Sequence, residues 1–352
     1  PICSANSPAQ SMAAAALSAP SRRRTTVGAS YISPRLSVFV VIGETGSAPA
    51  NGGLRLLPYS SDQACRADGH RLAGLMETKH RLYGTGFAGG KVVARASEPQ
   101  AVKEELLRVT GLMLEALRGS MITGCDLNTG RDDMERLALL TPHVLAAVGS
   151  AIDPSACTAH GTIGAVQAVQ PQPGRALVHG CGAVGGVVAR QLIARGWQVL
   201  CVDRDPDRAA IPGARALDPE APWWGEPVDV LLPCSISGLI GVAQARRIEA
   251  AAVVPAANAP FRSAAARSLL ERRGIRLLPD PLVNAGAVIA DSIERYAPRA
   301  WAAAEADPST VYDFVALQVR ERCLRYLRAR QRGLSRDRKS TRLNSSHTVI
   351  SY

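Results

Sequence analysis

Among the 41 basic side chains of this 352-residue chain only four are lysines: Lys79, Lys91, Lys103 and Lys339. Arginine keeps its proton at any pH near neutrality, whereas a buried lysine can be tuned to release one. A chain that otherwise uses arginine places lysine at two positions near glycines. Lys79 and Lys91 stand twelve residues apart, the second directly after Gly89-Gly90. Taken alone they would read as surface charge, so their neighbours decide what they are for.

A second candidate is Gly180-Cys-Gly182-Ala183-Val184-Gly185, which follows a predicted strand and opens a predicted helix running to Arg195. The first glycine allows a tight turn, and the second lets backbone approach a pyrophosphate. The third permits close helix–strand packing, while the helix N-terminus offers amide donors to phosphate. Asp203 lies 23 residues after Gly180, at the end of the next predicted strand. An acid there bonds the adenosine ribose hydroxyls and repels a 2′-phosphate, which favours NAD over NADP. Arg204 follows and softens that preference. The bland alternative is a tight βα turn with no ligand.

The elements that must position these groups fall into two stretches. In the first, a strand is expected at 35–42, a helix at 62–82, a short strand at 91–95, and helices at 99–118 and 131–149, from apolar spacing and turn residues. From Pro154 the pattern changes. A helix at 158–169 precedes short Val/Leu/Ile-rich strands at 176–179, 199–203, 228–233, 252–254 and 275–278, separated by helix-length segments, and helices at about 285–331 close the chain. That alternation predicts a doubly wound parallel sheet in an α/β protein.

Composition excludes several classes. No run approaches the ~20 apolar residues of a membrane span, and eight scattered cysteines form no metal or disulfide pattern. Reduced thiols point to a cytoplasmic location. Neither Cys125 nor Cys181 has a histidine partner or metal spacing, so no metal is expected. His160 reads as a packed helix position. Of the net charge of +11, three units sit in Arg22–Arg24 and three more lie beyond residue 335. The remainder is spread without a stripe, which argues against nucleic acid as a partner. Residues 1–30 are Ala/Ser/Arg-rich and are expected to be a disordered or miscalled leader, with Met12 a possible start. Residues 336–352 shift to Ser, Thr and Asn and resemble translated sequencing-adapter sequence, so they are set apart from the fold.

Four further pieces occur in order: Gly52-Gly53-Leu-Arg55, Met76-Glu-Thr-Lys79, Ile122-Thr-Gly-Cys-Asp126 and Asn284-Ala-Gly286. With the Lys91 and Gly180 segments, the chain over roughly 38–325 resembles the glutamate, leucine, phenylalanine and valine dehydrogenases, closest to the leucine and phenylalanine branch. The resemblance implies a catalytic, substrate-binding and dimerisation domain at 31–150, a Rossmann NAD-binding domain at 151–300 with a cleft between, and helices at 301–335 packing back on the catalytic domain. It implies reversible NAD-dependent oxidative deamination of an L-amino acid to a 2-oxo acid and ammonia by a homo-oligomer. Lys79 would pair with the substrate carboxylate, aided by the amides of Gly52 and Gly53. Lys91 would be the general base, its pKa lowered by burial and by the Lys79 charge. Asp126 would carry a proton to and from the substrate nitrogen, and Asn284 would hold the head group. Thr158, Cys234, Ser235 and Asn258 would line the cofactor.

Each assignment has a plainer rival. Asp126 would cap the following segment, Asn284 would brace its turn, and Thr158 and Asn258 would be cap and loop residues. The whole chain has two: another NAD-dependent oxidoreductase acting on a hydroxy acid or amine, or a non-catalytic NAD-binding protein. Two departures bear on substrate. Asn51 stands where leucine-type enzymes have an aliphatic residue, and Gly124 where they have alanine. Together they imply a bulky or polar substrate side chain, aromatic ones included. A smaller departure is Ala88 before the paired glycines, where the family has a third glycine.

Overall fold

The computed structural model describes residues 26–43, 48–145 and 147–345, and two sheets organise them. The first is built from β1 (Thr26–Ile32), β2 (Ser37–Ile42), β3 (Ala50–Asn51), β4 (Leu54–Leu57), β5 (Ala88–Arg95) and β6 (Met121–Ile122). Its order is β1-β2-β5-β3-β6, with β4 also on β5. β1, β2 and β5 run antiparallel, while β3 and β4 join β5 in parallel and are separated by Gly52-Gly53. In register, Val41 lies opposite Lys91 and Leu54 opposite Val92.

Helices α1 (Asp62–Tyr83) and α2 (Lys103–Ala116) cover the two faces of this sheet. α1 starts where the Ser61 side chain accepts from the Ala64 amide and stops at Gly84, whose φ of 61° is left-handed. Phe39 and Val93 pack under α1 with Cys65 and Leu72. Val38, Val40, Val92 and Ala94 face α2 with Leu106, Leu107 and Leu114. This strand alternation sets which side chains face which helix.

The second sheet is wholly parallel, in the order β12-β11-β10-β7-β8-β9. Its strands are β7 (Arg175–His179), β8 (Gln198–Val202), β9 (Ala214–Ala216), β10 (Val228–Pro233), β11 (Ala250–Val253) and β12 (Arg276–Leu277). Its near-continuous Val/Leu/Ala strands are buried on both faces, as a doubly wound sheet requires. α4 (Pro154–Val169), α5 (Ala183–Ala194) and α10 (Gly286–Tyr296) pack on one face. The chain's course reverses at β7, whose neighbours β8 and β10 lie on opposite sides, so the ends of β7 and β10 form the switch point.

Several expectations need correction. β1 begins at Thr26, inside the stretch read as leader, because it pairs with β2 as an edge strand; residues 1–25 lie outside the described residues. The helix expected at 131–149 is only α3 (Arg131–Ala138), and the segment after it turns toward the cleft. α4 begins at Pro154, four residues early, because Asp153 caps it and Pro154 suits a first turn. β3, β4, β6 and β9 were too short to carry a period. The closing helical stretch is α10, α11 (Pro298–Ala304) and α12 (Ser309–Ser345). α12 was expected on the catalytic half but lies chiefly along α4, since Gly161 and Gly164 let the two helices approach. A Cβ on Gly164 would stand 2.1 Å from the Ala316 carbonyl oxygen. It meets the first half where Arg322 stands over the Tyr83 ring, 6.0 Å from its centroid. The backbone of α12 runs to Ser345, through part of the segment read as foreign; residues 346–352 lie outside the described residues. No helix among the described residues is long and apolar enough to cross a membrane.

Candidate active site

Glycines bring the two lysines together. A Cβ on Gly89 would stand 2.3 Å from the Ala73 carbonyl oxygen and the Glu77 amide of α1. The Gly89 amide donates to the Glu77 carboxylate at 2.7 Å. α1 therefore rests directly on the start of β5, and Lys79 from the helix and Lys91 from the strand open into one cleft of about 530 Å³. Gly52 is forced for the same reason, since its Cβ would stand 1.9 Å from the Gly90 carbonyl oxygen.

Lys91 Nζ lies 2.5 Å from Asp126 Oδ2, and both are largely buried. Arg55 Nε donates to the same oxygen at 2.9 Å, and Arg55 also pairs with Asp68 at 3.3 Å. Asp68 in turn accepts from the Tyr59 hydroxyl at 2.7 Å. Burial alone would raise the Asp126 carboxyl, but Lys91 and Arg55 outweigh it and hold it well below the usual carboxylate range. Burial lowers Lys91; Asp126 opposes that shift and Arg55 adds to it. The Lys79 charge expected to press on Lys91 interacts with it, and Arg55 is a further cation that the expectation did not include. Burial takes Lys79 down to about 8, Asp280 opposing and Lys91 contributing. Its Nζ donates to the Asn284 carbonyl oxygen at 3.2 Å.

The cleft is lined by Asn51, Gly53, Lys79, Lys91, Gly124, Asp126, Thr158, Ala183, Val184, Asn258 and Asn284 among others. Gly52 is not in its wall: its amide donates to the Ile122 carbonyl at 3.3 Å, so the carboxylate role expected of that amide does not hold in this state. Asn284 is held on one side and open on the other. Its Nδ2 is committed to the Ala256 carbonyl at 3.0 Å and to Asn258 Oδ1 at 2.9 Å, while its buried Oδ1 lacks a partner. An unpartnered acceptor here suits an ammonium donor. The Thr158 hydroxyl donates to Pro154 at 3.2 Å and accepts from the Ala287 amide at 3.3 Å, which ties α4 to α10.

Gly180, Gly182, Gly185, Asp203, Arg204, Cys234 and Ser235 form a second group at the switch point, next to the cleft but not in its lining. Gly180 has a φ of 93°, and a Cβ on it would stand 2.5 Å from Ser235. A Cβ on Gly185 would stand 1.8 Å from the Gly180 carbonyl oxygen. Beside Gly182 the space is open, and no side chain caps α5, so its first-turn amides are left without a side-chain acceptor. These features fit a dinucleotide. Asp203 Oδ2 accepts from the Cys181 amide at 2.6 Å, and Oδ1 accepts from the Asp205 amide at 3.0 Å. Each oxygen keeps a lone pair for a ribose hydroxyl. His179 Nδ1 bonds Ser235 Oγ at 2.8 Å, and Arg204 is exposed.

Arg55, Asp68, Tyr59 and Asp291 were not singled out from sequence. Arg55 stood inside a quoted motif, and its burial was the missing signal. Asp68 lies eleven residues, three helical turns, before Lys79 on α1. His160 stacks on Tyr312 at 4.9 Å, a packing position as expected. Cys125 and Cys181 are free, and no cluster able to hold a metal exists among the described residues.

Two family models match. Residues 35–142 match the Glu/Leu/Phe/Val dehydrogenase dimerisation domain, and residues 203–310 match the glutamate/leucine/phenylalanine/valine dehydrogenase model. A phenylalanine dehydrogenase of Caldalkalibacillus thermarum is 30% identical over 282 residues, 75% of this chain and 76% of that protein. A leucine dehydrogenase of Bacillus subtilis is 29% identical, over 74% of this chain and 76% of its own. The crystal structure of L-tryptophan dehydrogenase from Nostoc punctiforme superposes with a TM-score of 0.65 at 24% identity, covering 86% of this chain and 87% of that one.

Proposed function

This chain belongs to the glutamate/leucine/phenylalanine/valine dehydrogenase family, and we propose that it is an NAD-dependent L-amino acid dehydrogenase catalysing reversible oxidative deamination to a 2-oxo acid and ammonia. The observation that carries this reading is Lys91 against Asp126 at 2.5 Å in a cleft that also holds Lys79 and the first residues of α5. A binding protein needs no buried, lowered lysine.

NAD, when bound, accepts a hydride from the substrate Cα. It would be held by the α5 amides with Gly180, Gly182 and Gly185 and by Asp203, with Thr158, Cys234, Ser235 and Asn258 lining its approach to the cleft. Lys79 binds the substrate carboxylate. Neutral Lys91 takes a proton from the water that attacks the substrate carbon–nitrogen double bond, and Asn284 Oδ1 accepts from the amino group. Asp126 exchanges a proton with the substrate nitrogen. Because Lys91 is its main counter-charge, deprotonating Lys91 makes Asp126 more basic, and the two titrate as a pair. Arg55, held by Asp68, keeps the Asp126 carboxylate oriented.

The relatives act on phenylalanine, leucine and tryptophan, so the substrate side chain does not follow from family membership. Self-association is proposed for residues 35–142, whose matching model is described as a dimerisation domain; sedimentation tests it. A cytoplasmic location is proposed on the unpaired cysteines among the described residues. Formation of NADH across a panel of amino acids, with ammonia released in equal amount, tests the activity. A chain that binds NAD yet turns over no amino acid contradicts the reading, as does oxidation of a hydroxy acid that survives Lys91→Ala.

A further inference from the structure

Two polar groups in the cleft have no part in the steps above. Asn51 is 1% exposed, and its side chain reaches no full hydrogen-bond geometry among the described residues, although its amide lies near enough to Asp291 to favour that carboxylate. Its backbone is fixed: His80 Nε2 bonds the Asn51 carbonyl at 3.2 Å, while His80 Nδ1 bonds Thr85 at 2.7 Å. Asp291 lies on α10 one turn after Ala287 and Val288, and all three face the cleft. Burial pushes its carboxyl well above the usual range; Glu294 adds to the rise, and the Asn51 amide partly offsets it.

The charges of the cleft are unevenly matched. Lys91 and Arg55 have Asp126 and Asp68, and the Asp280 charge favours the Lys79 ammonium. Among the described residues no cation pairs with Asp291, and its charged neighbour is another acid. Asp291 is half-buried, and a carboxyl drawn from water without a counter-charge is offset by a positive partner arriving with the ligand. Gly124 borders the same space without a side chain, which leaves room for a long substituent.

We propose that Asp291 and Asn51 form the side-chain subsite of the cleft and select L-amino acids that end in a cationic donor, an ammonium or guanidinium. The inference rests on the amino acid dehydrogenase reading. The substrate carboxylate then sits at Lys79 and the distal cation at Asp291, with Asn51 Oδ1 accepting a second hydrogen bond. This sets the chain apart from relatives named for apolar substrates.

L-lysine against L-norleucine tests the subsite, because the two differ by the terminal ammonium alone. Wild-type protein is expected to favour lysine by about 100-fold in kcat/KM. Asp291→Asn should remove most of that advantage, read as the ratio of the lysine to the norleucine kcat/KM, with NAD affinity kept. Preference for norleucine or tryptophan in the wild type, or a lysine preference indifferent to Asp291→Asn, overturns the inference and leaves the dehydrogenase reading standing. Calorimetry on NADH-loaded protein, which cannot take a further hydride from the amino acid, reads the subsite without turnover. Tighter binding of lysine than norleucine, lost in Asp291→Asn, supports it even if no NADH forms, and equal binding overturns it.

Discussion

At Lys91 burial disfavours the ammonium and Asp126, 2.5 Å away, favours it, and the lowered pKa records that burial prevails. The neutral amine is the base, so kcat/KM rises with pH as Lys91 loses its proton. Lys79 works in the opposite sense: its charge binds carboxylate and is lost as pH rises through about 8 in the free enzyme. A bell-shaped kcat/KM profile is therefore expected, with the alkaline limb belonging to Lys79. Bound carboxylate favours the Lys79 ammonium, so the alkaline limb of kcat should lie higher than that of kcat/KM. Lys79→Arg should remove the alkaline limb from kcat/KM, since arginine stays charged. Lys79→Ala should raise KM by roughly 10–100-fold, the worth of one charge-assisted hydrogen bond. Steady-state kinetics from pH 6 to 10 check all four (a range of about two pH units either side of the Lys79 value).

Elements matter here through the closeness that glycine allows. Gly89 and Gly52 bring α1 and the β3–β4 break against β5, and Gly185 brings α5 against Gly180. Gly185→Ala places a methyl 1.8 Å from a backbone oxygen, so the loop must open. The expected result is loss of NAD binding, read by fluorescence titration, with far-ultraviolet dichroism largely kept. Gly164→Ala acts away from the site. It wedges α12 from α4 at Ala316 and should cost about 1–3 kcal/mol in denaturant unfolding with NAD affinity unchanged. The long elements were legible from sequence because their periods ran for many residues: α1, β5, and the alternation from β7 to β12. β3 and β6, two residues each, offered no period, yet they hold Asn51 and place Asp126. The overlong helix at 131–149 arose from apolar residues such as Leu139 and Leu140, which are exposed, while Leu145 lines the cleft.

For the whole molecule, the site exists because two sheets with separate cores face one another across a cleft. α10 ties them: the Ser292 hydroxyl donates to the Thr85 carbonyl at 2.8 Å, and Tyr296 donates to Gly86 at 3.1 Å. The Lys79, Lys91, Asp126 and glycine-loop signals were readable as motifs, since their residue types are restrictive. What could not be read was which charges meet. Arg55 joining Asp126, Gly52 giving its amide to Ile122 and Asp291 meeting Asn51 without a cation are properties of packing across at least 70, 70 and 200 residues of chain respectively. NAD at about 100 times its Kd should stabilise the protein by about 2.7 kcal/mol, and Asp203→Ala should cut that gain at the same concentration, as thermal unfolding would show.

The central claim is that Lys91 is a titratable base in an amino acid oxidation. The most direct measurement compares wild type with Lys91→Arg for amino-acid-dependent NADH formation at saturating NAD. Arginine keeps a positive charge opposite Asp126 but cannot give up its proton. The account predicts NADH and ammonia in equal amounts from the wild type, and turnover reduced by about 10²–10⁴-fold in Lys91→Arg with NAD affinity retained. Turnover in Lys91→Arg within a few-fold of wild type would contradict it.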